Sequence, residues 1–574
     1  MAEHDLVVRG GTVIDGTGTE RRTADVAISQ GVVTDVGRVD GRGARELDAD
    51  GLLVTPGIVD IHCHYDGQAT WDSRLQPSSW HGVTTVVMSN CGVGFAPVRS
   101  GDEDRLIELM EGVEDIPGAA LHEGLSWEWR SFGEYLDAVD ALPHDVDVAA
   151  QLPHGALRLH VMGERGAARE PATPDDIARM AELAAEAMEA GALGFTTSRT
   201  MNHRSSKGEL TPSLTAEADE LVGIAMAMGQ VGKGVLQVVS DFRDVDFEFG
   251  IFKRMTEESG RPISMSLAQA PVAPDHFRGI LDRISAAQAE GLQMRAQVAA
   301  RGIGVLLGLQ CTLNPFMVNP VYKEIADLPL DERVRTMRDP AFRERLLAAE
   351  TDEKLQDRLG GTMIKRYRLM FELADPPDYE PPISETIEAR AARAGVDANA
   401  FIYDLLLQDD GKTMVYVPFA NYVDGSLSAV GEMLAHPYTV PGLSDGGAHV
   451  GTICDGSFPT TLLRMWGRDR AEGRLPLEHL VQRHCQGTAA TVGLLDRGVL
   501  APGYRADLNL IDFERLQERR PEMHYDLPAG GKRLLQRADG YVATVVRGEV
   551  TYEAGEPTDA LPGRLVRGAT PAPT

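Results

Sequence analysis

Between residues 5 and 53, apolar and polar positions alternate in short runs separated by turn signals. Leu6-Val7-Val8 precedes Gly10-Gly11, Val13-Ile14 precedes Gly16, and Val26-Ala27-Ile28 is followed by Val32-Val33 after Gly31. A period of two broken by glycines predicts short antiparallel strands with tight turns. The stretches Gly503–Asp512 and Tyr541–Val550 repeat the pattern near the other end. Isolated hairpins are barely stable, so the two ends are expected to pair into one small β domain rather than stand as separate flaps.

The middle of the chain reads differently. Apolar runs of strand length alternate with helical stretches: Ile58–Ile61, Gly82–Met88, Asp147–Leu152, Ala192–Thr197, Val235–Val239, Ile263–Leu267, Gly304–Leu309 and Thr439–Leu443. The helix between the third and fourth runs opens at Thr173-Pro-Asp-Asp, a capping residue with proline and acids in the first turn, and stops at Gly191. Strand and helix in alternation imply an α/β fold, a (β/α)8 TIM-like barrel over 56–494. Residues 315–437 break the rhythm and predict an inserted helical lid, with helices over Pro340–Lys354 (Asp339 as cap) and Glu385–Ala394 around the proline-rich turn Asp375–Pro382. The ends, 1–55 and 495–560, predict a small β-sandwich domain, and 561–574 a flexible tail.

Composition narrows the partners. The chain has 574 residues, 43% apolar and 25% charged, enough for a large barrel and a satellite domain. A formal charge of −30 would repel nucleic acid and anionic membrane, and points to a small-molecule substrate. The start Met-Ala-Glu-His-Asp lacks the features of a signal peptide, and no apolar run is long enough to cross a bilayer, so a cytoplasmic protein is expected, assembled as a homo-oligomer or not. Five scattered cysteines (63, 91, 311, 454, 485) fit reduced thiols, any special one being a ligand or nucleophile.

In a barrel the reactive groups sit at the C-terminal ends of the strands. The first strand ends in His62-Cys-His64, whose histidines at i and i+2 project to one face as a clamp for a divalent metal; alone, they can equally be a chance pair. The second ends in Ser89-Asn-Cys91-Gly92, a thiol that is either a soft ligand or a small buried residue. After the third, His154 can donate to a carbonyl and Arg158 can grip a carboxylate, or both can pack the loop. Asp445, after the last strand and before two glycines, is placed to ligate metal and take a proton, or merely to cap a turn.

The segments Pro56-Gly-Ile-Val-Asp-Ile-His-Cys-His64, His81-Gly-Val-Thr-Thr-Val86, Asn90-Cys-Gly92, Gly191-Ala-Leu-Gly194, Ser444-Asp-Gly446 and Gly498-Val-Leu-Ala-Pro-Gly-Tyr-Arg-Ala-Asp-Leu508 together resemble the amidohydrolase superfamily, in its N-acyl-D-amino-acid deacylase branch. The resemblance covers most of the chain. It implies zinc-dependent amide hydrolysis with one or two divalent metals, His62, His64, Cys91 and Asp445 at metal positions, and Asp445 as catalytic proton shuttle. It also implies histidines on strands five and six, where this chain has Gln237 and Pro262–Gln269 with no histidine. No lysine lies in Ala192–Thr197, which disfavours the carbamylated-lysine type of site. Local candidates for the substrate carboxylate are Arg158, Arg199 and His449. The expected function is hydrolysis of an N-acyl amino acid; the alternatives are a cyclic amide or lactone hydrolase, or a barrel that has lost catalysis and serves as a scaffold.

Overall fold

The computed structural model describes residues 2–350 and 361–574. At its centre β1 (Ile58–Asp60), β2 (Val83–Met88) and β3 (Asp147–Ala150) pair in parallel in chain order. Past Gln151 the chain continues as Leu152–Pro153, which pairs with β4 (Gly194–Arg199). From there β5 (Val235–Ser240), β6 (Ile263–Leu267), β7 (Met294–Val298) and β8 (Thr439–Pro441) follow, each parallel to the last. Beyond the strand ends Cys63 and Gly446 form a parallel bridge. There the His64 N–H donates to the Gly446 carbonyl at 2.7 Å and the Asp445 N–H to His62 at 3.0 Å. Pairing therefore returns from β8 to β1, and the residues that follow both strands lie side by side. Every residue of β2 is buried, as in a parallel strand covered on both faces.

The seventh strand is a correction. The run Gly304–Leu309 is not part of this circuit: Ile303–Gly308 pairs antiparallel with Met414–Ala420, which also carries Phe371–Glu372. The strand in the circuit is Met294-Arg-Ala-Gln-Val298, whose two polar residues disguise it in the hydrophobic pattern. One of them, Gln297, is used at the site.

Helix α1 (Glu103–Glu114) lies in the long connection after β2, and α2 (Pro174–Ala190) runs from a Thr173–Asp176 capping box to Gly191, whose φ of +113° favours glycine. The 315–437 region carries its own apolar cluster, including Phe316, Met337, Ile387 and Tyr403. Its helix Pro340–Ala348 is capped by Asp339; of the expected extension, 351–354 lie outside the described residues.

The chain ends do pair. Leu508–Ile511 lies antiparallel to Leu53–Pro56, joining N- and C-terminal segments in one nine-stranded sheet. Its pairing is mixed rather than antiparallel throughout, because Gly43–Asp48 and Leu53–Pro56 run parallel to His4–Val13. Asp147, at the start of β3, binds Arg497 at 2.8 Å and Arg505 at 2.7 Å, a buried ion network between the strands and the C-terminal segment. The expected tail also differs. The N–H groups of Gly563, Val566, Gly568 and Thr570 donate to carbonyls of His144, Val148, Gly191 and Gly493. Backbone pairing overrides the proline- and glycine-rich composition that suggested a free end.

Candidate metal centre

The β1–β8 closure places His62, His64 and Asp445 together. The Asp60 carboxylate accepts the His62 N–H at 3.1 Å and the Ser444 hydroxyl at 2.5 Å, tying the ends of the two strands. Beyond Ser444 the chain turns sharply: Asp445 has φ +46°, Gly447 has φ +87°, and a Cβ on Gly446 would stand 2.4 Å from Ser78 Oγ. Cys91 likewise has φ +56°. Left-handed backbone at non-glycine residues costs of order 1–3 kcal/mol each and concentrates at functional sites.

Both imidazoles turn Nε2 inward. Asp445 Oδ1 lies 3.3 Å from His62 Nε2 and 3.6 Å from His64 Nε2, and Cys91 Sγ lies 3.3 Å from His62 Nε2. Candidate ligand atoms of His62, His64 and Cys91 all fall within 4.8 Å of one another. On the outer side, His62 Nδ1 meets Gln297 Oε1 at 2.7 Å and His64 Nδ1 meets Glu114 Oε1 at 3.3 Å. Ligating histidines are typically held by a hydrogen bond through their other nitrogen, which His62 makes with Gln297, while the His64–Glu114 contact lacks hydrogen-bond geometry. Asp445 Oδ1, His64 Nδ1 and Glu114 Oε1 are buried without a hydrogen-bond partner. Buried polar atoms are rarely left so, and a cation among these donors would satisfy the inward-facing set.

The positions where histidines were expected hold a neutral scaffold instead. Gln237 Oε1 accepts the Cys91 N–H at 3.2 Å, and Gln297 Nε2 donates to Ser264 Oγ at 2.9 Å. Strands β5 to β7 thus brace the ligand candidates from behind with amides and hydroxyls.

Charge divides the two histidines. Burial pulls His62 down to about 4, its outer partner being a neutral amide. Burial also acts against protonated His64, but Glu114 and Asp445 outweigh it and hold His64 well above the usual imidazole range. Burial pushes Glu114 up to about 7 and the Cys91 thiol up to about 12. For Asp445 burial is again the largest influence, yet the surrounding imidazoles, His64 foremost, overcome it and keep the carboxyl well below the ordinary carboxylate range. Without metal the centre therefore holds protons on His64 and Cys91 that a metal would displace.

The other expected residues are placed differently. His154 is buried between Thr197 Oγ1 (2.8 Å) and Glu220 Oε1 (2.9 Å). Arg158 gives Nε to Glu220 and its terminal nitrogens to the carbonyls of Pro212 and Glu170. Arg199 clasps Glu248 through Nε at 2.6 Å and Nη2 at 2.8 Å. All three side chains are saturated by internal partners, so none is available to a substrate carboxylate in this arrangement. His449, by contrast, stands at the centre, with Nε2 3.5 Å from Glu114 Oε2.

Two neighbours escaped the sequence reading. Glu114 is an acid inside an ordinary amphipathic helix, and Gln297 sits on the strand that the hydrophobic pattern missed. Beside Asp445 a small cavity of about 20 Å³, room for about one water, opens between Gln68, Gln76, Gly446, Asp455 and Arg533. Arg533 is 4% exposed and bound to Asp526 through Nε and Nη2, while its Nη1 has no hydrogen-bond partner.

The fold and this constellation are those of a metallohydrolase, and residues 45–552 match the amidohydrolase family model: the chain belongs to the amidohydrolase family. Within it the chain stands with the D-aminoacylase-like branch. It is 25% identical over 518 residues to N-acyl-D-aspartate deacylase of Alcaligenes xylosoxydans xylosoxydans, spanning 89% of this chain and 86% of that protein. An uncharacterised protein of Mycobacterium tuberculosis is 28% identical over 589 residues, spanning 96% of this chain and 92% of that one. Among solved structures, a D-aminoacylase described as having a binuclear metal centre superposes with a TM-score of 0.66 at 24% identity, covering 98% of this chain and 100% of its own.

Proposed function

We propose that the protein hydrolyses the amide bond of an N-acyl amino acid with one divalent metal, zinc by its donor set, held by His62, His64, Cys91 and Asp445. The observation that carries this is the convergence of two Nε2 atoms, a thiol and the unpartnered Asp445 Oδ1 at the β1–β8 seam. The named relatives supply the acylated amino acid as substrate class. The parallel circuit is read as a (β/α)8 barrel over 56–494, the paired ends as its small β domain, and 315–437 as a lid.

When bound, such an ion supplies Lewis acidity to the substrate carbonyl and lowers the cost of deprotonating water. This chain's residues do the rest. Asp445 Oδ1 would accept the proton of the attacking water and return it to the departing nitrogen. Gln297 and Glu114 keep Nε2 of each histidine facing inward, and Gln237 fixes the backbone of Cys91. The substrate would approach from the side of the small cavity beside Asp445, which has to widen to admit it, with Arg533 Nη1 as an unused donor on its wall.

A panel of N-acetylated D- and L-amino acids, assayed with zinc and with chelator, tests the reading. Release of free amino acid from at least one of them, abolished by chelator and restored by zinc, is expected. No turnover of any panel member, together with turnover of a cyclic amide or lactone, would replace this substrate class.

A further inference from the structure

We infer that Glu114 is a positioning residue for the metal centre: from outside the ligand set its carboxylate orients His64 by Nδ1 and aligns His449. This rests on the metal-centre reading above. Glu114 is 1% exposed, and among the described residues its ion-pair partners are His64 at 3.3 Å and His449 at 3.5 Å. A buried carboxylate is costly unless it is paired, and among the described residues only these imidazoles pair with Glu114.

The helix that carries it is built to hold it there. Gly112, two residues earlier, lies so close to the loop after β4 that a Cβ would stand 2.1 Å from the Ser205 carbonyl carbon. The Ser206 N–H donates to the Glu108 carbonyl at 2.8 Å. On the other side, the Glu114 carbonyl accepts the His449 N–H, and Asp115 accepts the Gly451 N–H at 3.3 Å. The last turn of α1 is thus clipped between the loops that follow β4 and β8.

The two ligand histidines are therefore held unequally. Gln297 offers His62 a hydrogen-bond acceptor at 2.7 Å, whereas Glu114 sets a carboxyl oxygen 3.3 Å from His64 Nδ1, a contact without hydrogen-bond geometry that still favours the proton on Nδ1 and leaves Nε2 to face inward. Where histidines from β5 and β6 are lacking, the acid on α1 orients an imidazole that remains.

The test uses the full chain and zinc alone, with affinity read by competition against a chromophoric chelator. Glu114→Gln keeps an acceptor oxygen but loses the charge and should weaken zinc about 10-fold; Glu114→Ala should weaken it about 100-fold. The cobalt(II) form of Glu114→Gln should keep the wild-type visible spectrum, because the ligand atoms are the same. Unchanged affinity in Glu114→Gln and Glu114→Ala would leave the acid a purely structural part of α1 and overturn the inference. A changed cobalt spectrum, or a loss beyond about 1,000-fold, would make Glu114 a direct ligand and overturn it differently. If the wild type itself binds no zinc, the metal-centre reading falls first and this inference falls with it. Should Glu114→Ala fail to fold, Glu114→Gln alone decides.

Discussion

Replacing Asp445 by asparagine removes one charge and almost no volume. Its φ of +46° lies in the left-handed region, which asparagine tolerates better than alanine, so the turn before Gly446 should survive. What is lost is the proton acceptor at Oδ1, 3.3 Å from His62 Nε2 and 3.6 Å from His64 Nε2. A positioned general base contributes roughly 10²–10⁴ in rate, or about 3–5 kcal/mol at ~1.4 kcal/mol per decade. Because the site is otherwise intact, kcat should fall by about 10³ while KM changes by less than about 3-fold. Steady-state kinetics on the preferred N-acyl amino acid, with zinc content measured on the same sample, check it. A fall of less than about 10-fold at full zinc occupancy would refute Asp445 as the proton shuttle.

Arg533→Met should raise KM more than about 10-fold for a substrate with a free carboxylate and leave KM for its amide unchanged, if the free Nη1 meets the carboxylate; equal effects on both would contradict it. Arg497→Met removes one of the two guanidinium partners of the buried Asp147 carboxylate and should cost less than the ~3–5 kcal/mol of a fully unpaired buried charge in urea unfolding, because Arg505 at 2.7 Å and the Arg564 N–H at 2.9 Å remain. His484 is held by burial down to about 3. Between pH 6.5 and 3 the unfolded chain takes up a proton that the folded chain refuses, so stability falls as pH drops through that window by up to about 1.4 kcal/mol per unit. His484→Leu should flatten that slope when melting temperature is followed against pH.

What the sequence reveals is what the backbone repeats. His62 and His64 are legible because a strand forces i and i+2 onto one face, and Asp445 because it ends a buried run before Gly446-Gly447. Cys91 follows from the same rule on β2. Arg158 and Arg199 mislead, since an arginine near a strand end reads alike whether its partner is a substrate or, as here, Glu220 or Glu248. Glu114 is invisible because nothing in an amphipathic helix marks which acid will face an imidazole more than forty residues away. Gln297 is hidden because Ile303–Gly308 is the stronger apolar run, although it pairs elsewhere. The pairing of the chain ends is legible from turn chemistry, but the docking of 563–570 rests on backbone hydrogen bonds that composition does not encode.

The most direct test of the central claim is the metal content of the purified protein, measured by inductively coupled plasma mass spectrometry after zinc loading and desalting. The account predicts about one zinc per chain in the wild type, from the His62, His64 and Cys91 cluster, the one such group among the described residues, and loss of that zinc in His62→Asn/His64→Asn with the fold retained. A wild-type chain that remains metal-free after loading, or a double variant that keeps its zinc, would contradict it.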